Sequence, residues 1–216
     1  MRKLSVCLIG LLLVFSANAL FDETNAVKKI TTNMELARTY LQIDFLTAVL
    51  FFRDTPRSRF LEPVFIEFAE TKRDYYRFVA VDCDEIDHDK TQALSPACRE
   101  DFKDSLPQIL FLEPPQEKID LETNRTAEPK QLRYEGQATI EDLADFAKKH
   151  MPSFSKRLTT MEELNEFLDN QKNANKVIYI SNKKSVPQYW KALTSRFREN
   201  LQVSPFLDGI AEFSTV

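Results

Sequence analysis

The stretch from Thr47 to Phe68, TAVLFFRDTPRSRFLEPVFIEF, constrains the fold of this chain more than any other. Ala48-Val49-Leu50-Phe51-Phe52 is an unbroken apolar run, long enough for a buried strand and too short for a helix. The polar segment Arg53-Asp54-Thr55-Pro56-Arg57-Ser58 follows at once and reads as a tight turn. Beyond it Phe60, Leu61, Val64, Phe65 and Phe68 recur at helical spacing with Pro63 among them. That pattern predicts an amphipathic helix kinked at the proline.

The chain around this stretch alternates strand and helix patterns. Residues 26–30 read as a short strand, and Asn33 as the cap of a helix through Glu35, Leu36, Tyr40 and Leu41. Residues 76–82, YRFVAVD, form a core strand pattern. A charged helical stretch over about 89–104 is interrupted by Pro96. Strand patterns return at 108–112 and 131–134, separated by a polar loop over 113–130. Thr139-Ile140-Glu141-Asp142 then opens a helix as a variant capping box, with Leu143, Phe146 and Ala147 as its apolar face. Past Pro152 a second series begins. Thr160-Met161-Glu162-Glu163 is a capping box ahead of Leu164, Phe167 and Leu168. Residues 176–181 read as a strand. Ser185-Val186-Pro187-Gln188 reads as a further capping box, with Tyr189, Leu193 and Phe197 on one helix face. Residues 203–210 sit awkwardly in this series and read as an insertion or unspliced piece.

Composition removes several function classes. Three separated glycines cannot write a Gly-x-Gly-x-x-Gly or P-loop phosphate cradle. A net charge of -4 with interspersed bases gives no nucleic-acid surface. His88 and His150 stand far apart in charged surroundings and read as surface residues, and no His/Cys cluster suggests a metal. No cofactor is expected. Arg2 and Lys3, the apolar residues 8–15 and the Ala17-Asn18-Ala19 signature read as a signal peptide over 1–19. No other segment is apolar enough to span a bilayer, so no membrane anchor is expected in this chain. The mature chain would then enter the secretory pathway and keep Cys83 and Cys98, which lack Cys-x-x-Cys spacing. A disulfide is the default in an oxidising lumen, and two buried free thiols are the alternative.

The order of elements up to Met151 resembles a thioredoxin domain of the protein disulfide isomerase family. Val81-Asp82-Cys83 is similar to that family's third-strand Val-Asp-Cys. Leu106-Pro107 is similar to its cis-proline turn, and Tyr134-Glu135-Gly136 to its last strand. The resemblance implies a thioredoxin-like α/β fold, with a central mixed sheet flanked by helices, over 20–151. A partial second thioredoxin-like domain would follow over 152–216. It implies a structural disulfide between Cys83 and Cys98, and a peptide-binding surface at Thr55, Leu106 and Pro107. It also places Thr55-Pro56-Arg57-Ser58 where active members carry Cys-x-x-Cys. The family's buried glutamate falls on Val49 and its lysine partner on Ala80. Hydroxyls have pKa values far above a thiol's and form no disulfide, so no catalytic residue is expected.

The implied function is that of a redox-inactive binding module, a chaperone or adaptor holding unfolded or partner polypeptides. The endoplasmic reticulum lumen or the exterior is its expected location. Two alternatives stand beside it. One is a thiol-disulfide oxidoreductase or isomerase using Cys83 and Cys98. The other is a fragment of a larger, membrane-anchored protein with several thioredoxin-like domains. Half a second domain would leave a bare sheet edge unless it packs on the first. Phe213-Ser214-Thr215-Val216 is not a Lys-Asp-Glu-Leu-like retention signal.

Asn124-Arg125-Thr126 is a glycosylation sequon in the polar loop. Protein made through a secretory pathway should therefore carry a glycan on Asn124. Glycosidase treatment should increase its gel mobility, and Asn124→Gln should abolish the shift.

Overall fold

The computed structural model describes residues 20–21, 24–88, 98, 105–116, 119–120, 125–155, 157–169, 175–181, 185–197 and 202–207. The expected signal peptide, Asn124 and most of the helix expected over 89–104 lie outside these residues.

The elements run β1 (Lys28–Ile30), α1 (Asn33–Leu41), β2 (Thr47–Phe52), α2 (Pro56–Lys72), β3 (Arg77–Asp82), α3 (Cys83–His88), β4 (Gln108–Glu113), β5 (Ile119–Asp120), β6 (Arg125–Thr126), β7 (Lys130–Arg133) and α4 (Ile140–Lys149). A five-stranded sheet has the order β1-β3-β2-β4-β7. β2 lies at its centre, parallel to β3 and antiparallel to β4. All six β2 residues are buried. A strand covered on both faces needs apolar side chains at every position, which is why the sequence shows a run rather than an alternation.

Successive strand residues point to opposite faces. Ala48, Leu50, Phe52, Phe78, Ala80, Ile109 and Phe111 face one core, which Leu61, Phe65, Phe68 and Ala69 of α2 and Leu143 and Ala147 of α4 cover. Phe78 meets Phe65 and Phe68 edge-on at centroid distances of 5.9 and 5.0 Å, a favoured aromatic geometry. Val49, Phe51, Val79, Val81, Leu110 and Leu112 face the other core, with Leu36 of α1, Ile86 of α3, Cys83 and Cys98.

Several sequence expectations are corrected. The cap of α1 is Thr32, whose Oγ1 accepts from the Glu35 N–H at 3.3 Å; Asn33 is the first helical residue and is buried. Pro63 lies inside the 17-residue α2, where the helical pattern places it. The polar loop holds the short β5–β6 antiparallel pair. Thr139 caps α4 as expected: its Oγ1 accepts from the Asp142 N–H at 3.2 Å.

The C-terminal portion contains α5 (Met161–Asp169), β8 (Lys176–Ser181), α6 (Gln188–Phe197) and β9 (Gln202–Leu207). The Thr160–Glu163 capping box forms: Glu163 N–H donates to Thr160 Oγ1 at 3.2 Å, and Thr160 N–H to Glu163 Oε2 at 3.3 Å. Residues 203–207, read as an insertion, belong to β9, which pairs in parallel with β8. A proline at an edge costs no ladder bond that a neighbour needs, so Pro205 is tolerated there. Ser185 does not cap α6. The helix starts at Gln188, and the Pro187 carbonyl accepts from Trp190 and Lys191 at 3.1 and 3.2 Å.

The buried face of α6 is also not the expected one. Tyr189 and Phe197 are exposed, whereas Trp190, Ala192, Thr194 and Ser195 are buried. Ala192 joins the core beneath α2 and α4. Gln188 Nε2 donates to the Tyr76 hydroxyl, Lys191 Nζ to the Met151 carbonyl at 3.1 Å, and Ser195 Oγ to the Asp44 carbonyl. Arg196 lies 4.9 Å over the Phe45 ring. Residues 188, 191, 192, 195 and 196 share one helix face. Small and polar side chains dock this helix through specific bonds that an apolar pattern does not register.

Ala192→Asp should place a carboxylate at that docked face and lower the unfolding free energy by roughly 2–4 kcal/mol. The same change at half-exposed Leu168 of α5 should cost less than about 1 kcal/mol. Urea unfolding measures both, and equal losses would count against the docking.

Candidate functional site

The turn after β2 is built by its own hydroxyls. Thr55 is extended at φ -127° and ψ 158° and caps α2, with Pro56 in the first helical turn. Its Oγ1 accepts from the Ser58 N–H at 3.2 Å and lies 3.0 Å from Ser58 Oγ. Ser58 is fully buried. The turn thus holds two hydroxyls in mutual hydrogen-bond contact at a helix N-terminus, the place where a thiol pKa is lowered. Thr and Ser provide no thiolate. Asp54, the nearest carboxylate in sequence, is spent on Arg59, whose Nε and Nη2 donate to it at 2.8 and 2.6 Å. That pair is exposed, so its contribution to stability is small. Among the described residues no group of His, Cys, Asp and Glu is arranged to hold a metal.

Val49 and Ala80 are both fully buried, yet they cannot face each other. Val49 pairs with Val79 and points into the α1 side of the sheet. Ala80 pairs with Leu50, and both point toward α2. A buried acid and base on one face of this strand pair would need positions of the same orientation, such as 50 and 80, so Val49 and Ala80 are not placed to form the pair that the resemblance implies. One-residue slips exchange the two faces of a strand. The positions that matter are apolar either way, and an unpaired buried charge would be costly there.

Leu106-Pro107 is a cis peptide. A groove of about 440 Å³ runs beside it, lined by Arg57, Phe60, Pro107, Ile109, Arg133 and Tyr134 among others. Of the three residues expected to bind peptide, only Pro107 lines this groove; Leu106 is buried and Thr55 lies outside it. Phe60, expected in the α2 core, is 72% exposed over the groove. The sequence carries the signal. Leu61, Phe65 and Phe68 already complete an i, i+4, i+7 stripe, and Phe60 stands about 100° away from Leu61 around the helix.

The far wall is held in place by local bonds. Tyr134 packs edge-on against Phe146 at 5.2 Å and its hydroxyl donates to the Gln137 carbonyl. Burial, then the Asp142 charge, raises its pKa. A Cβ on Gly136 would come within 2.5–2.9 Å of the Tyr134 ring and hydroxyl, so glycine is what lets that ring fold back over the loop. With its amide oxygen turned to Arg133, Gln108 accepts from Nε and Nη2 at 2.5 and 3.0 Å. His150 lies against the Phe146 ring at 4.5 Å, at the far end of α4, and takes no part in the turn.

On the α1 side Cys83 and Cys98 are joined as a disulfide, with Cα atoms 5.3 Å apart. Both are buried in the α1-side core. In the chain-entropy model a bridge across 15 residues contributes roughly 3 kcal/mol. Arg53, directly after β2, reaches this bridge. Its Nη1 donates to Asp84 Oδ1 at 2.7 Å and its Nη2 to the Cys98 carbonyl at 3.2 Å. Asp84 Oδ2 also accepts from the Asp54 N–H at 3.1 Å. No sequence signal named this network.

No protein-family model matches the chain, and no curated protein does. Solved structures match by shape. A crystal structure of ERdj5 (form II) is similar at 19% identity and TM-score 0.58, covering 87% of this chain and 23% of that one. The crystal structure of full-length ERdj5 is similar at 17% identity and TM-score 0.52, covering 88% and 24%. The zinc-bound form of human ERp44 aligns at 15% identity and TM-score 0.44, covering 86% and 48%. The chain thus spans under a quarter of the ERdj5 length. The ERdj5 likeness establishes a thioredoxin-like fold, a central mixed sheet flanked by helices.

Thr55→Cys with Ser58→Cys should form a local disulfide, since the two oxygens already lie 3.0 Å apart and a bridge needs Cβ atoms about 3.5–4.5 Å apart. The double variant should gain weak insulin reductase activity. Adding Leu50→Glu and Ala80→Lys should raise it further, whereas Val49→Glu with Ala80→Lys should not. Thiols that stay free in the folded double variant would refute the placement of the turn.

Proposed function

We propose that the chain is a redox-inactive, protein-disulfide-isomerase-like module of the secretory pathway that binds unfolded or partner polypeptides. The observation that carries this reading is the pairing of two non-redox hydroxyls on the turn with an exposed Phe60 over the adjacent groove. Large exposed aromatics beside a groove are the usual anchors of polypeptide binding. An extended segment would lay an apolar side chain against Phe60, Pro107 and Ile109. Arg57, one helical turn before Phe60, lies on the same groove wall and would favour a carboxylate beside that anchor. The buried disulfide and the sequon support an oxidising lumen, the endoplasmic reticulum or the exterior, as the place of action.

The oxidoreductase reading fits less well. Cys83 and Cys98 are bonded to each other beneath α1, on the sheet face opposite the groove helix. The C-terminal portion supports a further proposal, that it is part of a second thioredoxin-like unit in a longer protein. Its α5-β8-α6-β9 order and its share of the ERdj5 length are the grounds.

A short fluorescent peptide alternating leucine and aspartate should bind the full chain. Phe60→Ser should weaken binding about tenfold, the 1.4 kcal/mol expected of a modest anchor. Arg57→Glu should weaken this peptide and spare one alternating leucine and serine. Anisotropy titration reads both. Unchanged affinity in Phe60→Ser would overturn the groove assignment.

A further inference from the structure

We infer that the Cys83–Cys98 disulfide governs the groove on the other face of the sheet through Arg53 and Asp84, which act as positioning residues for the Thr55–Ser58 turn. The inference rests on the groove reading for its effect on ligand, but the coupling itself stands on geometry.

β2 and β3 are parallel neighbours whose last register pair is Phe52 with Asp82. Arg53 and Asp84 therefore emerge side by side at the rim of the sheet, one leading into α2 and the other into α3. Arg53 is held from both ends of the bridge. Asp84 follows Cys83 directly and accepts from Nη1, while the Cys98 carbonyl accepts from Nη2. Asp84 in turn takes the backbone N–H of Asp54 with its other oxygen. Asp54 holds Arg59 in the first turn of α2. The contacts form one continuous path from the bridge to the helix start, crossing from the α1 side of the sheet to the α2 side. Asp82 Oδ1 accepts from the Asp84 N–H at 3.1 Å and so orients the residue at the centre of the path.

The bridge is what fixes the Cys98 carbonyl beside Arg53, because Cys98 is 15 residues from Cys83 along the chain. Reduction by a dithiol proceeds in two steps. A reductant thiolate attacks one cysteine Sγ, the Sγ–Sγ bond breaks, and the other sulfur leaves as a thiolate that takes a proton. The second reductant thiol then closes a cyclic disulfide and frees the first cysteine. Two electrons pass to the protein, and the cysteines end as thiols. The Cys98 carbonyl then lacks the cross-link that holds it beside Arg53, and the guanidinium loses that acceptor. The turn loosens at Asp54, and Arg57 and Phe60 lose their fixed placement over the groove. Oxidised protein is the binding-competent state.

Backbone hydrogen exchange at 54–59 in full-length protein tests the coupling, before and after dithiothreitol. Reduction should speed exchange of the Asp54 and Ser58 amides about tenfold, with β2 amides 49–51 changing less. Asp84→Asn, with the disulfide intact, should reproduce the faster turn exchange without reduction, so general unfolding of reduced protein cannot explain both. Asp84→Glu should restore slow exchange in part. Unchanged turn exchange in Asp84→Asn, or in reduced protein whose cysteines both become alkylated, overturns the coupling. The leucine–aspartate peptide should bind reduced protein about fivefold more weakly. Equal affinity in both redox states, with the exchange difference present, overturns control of the groove. Absence of peptide binding in oxidised protein defeats the groove reading, and the exchange data then decide the coupling alone.

Discussion

The structure depends on the burial of β2 on both of its faces. Its backbone is taken by β3 on one side and β4 on the other, and its five apolar side chains are divided between two cores. No polar residue except Thr47 enters it, and Thr47 Oγ1 turns back to the Phe45 carbonyl at 3.0 Å. Everything that shapes the site is attached to the ends of this strand. α2 starts four residues after it, so the position of the Thr55 cap follows from where β2 stops. α2 and α4 then cover one face, and α1, α3 and the disulfide cover the other.

A rim placed this way brings unlike chemistry together. The hydroxyl pair Thr55–Ser58 sits at the start of α2, bonded to itself and to the Ser58 amide. The Cys83–Cys98 bridge lies on the opposite side of the sheet, and Arg53 joins the two regions through its bonds to Asp84 and the Cys98 carbonyl. Charge that would be weak on an open surface is better used here. The Arg53 side chain is largely buried, and its bonds to Asp84 and Cys98 are less exposed to competing water than the Asp54–Arg59 pair. The groove adds a third element. Phe60 is withheld from the core because the stripe formed by Leu61, Phe65 and Phe68 already fills the space beneath α2.

The C-terminal portion is tied to this framework by polar contacts as much as by apolar ones. α6 lays Gln188, Lys191, Ala192, Ser195 and Arg196 against the segments that lead into β2 and β3 and follow α4, reaching Tyr76, Met151, Asp44 and Phe45. Trp190 is buried, whereas Tyr189 and Phe197 remain on the outside. Ala192 and Ser195 are small enough to let the helix approach closely, and their neighbours supply the donors. A face of this kind is specific because each bond has one partner.

Sequence alone determined the strand–turn–helix at 47–72, the capping hydroxyls Thr139 and Thr160, and the two hydroxyls at Thr55 and Ser58. These are local properties: an apolar run, a side-chain oxygen three residues ahead of an amide, the identity of two atoms. It could not decide which face of β2 each residue takes, because that parity depends on the register with β3, which turns Val49 to the α1 side and Leu50 to the α2 side. It could not separate Phe60 from the core, because the apolar pattern counts candidates and packing volume chooses among them. The same limit hid the docking face of α6 and the contacts of Arg53. Both join residues far apart in the chain, 31 positions between Arg53 and Asp84 and 151 between Ser195 and Asp44. Such pairings arise only when the sheet has closed and brought its rim and its neighbouring helix into reach.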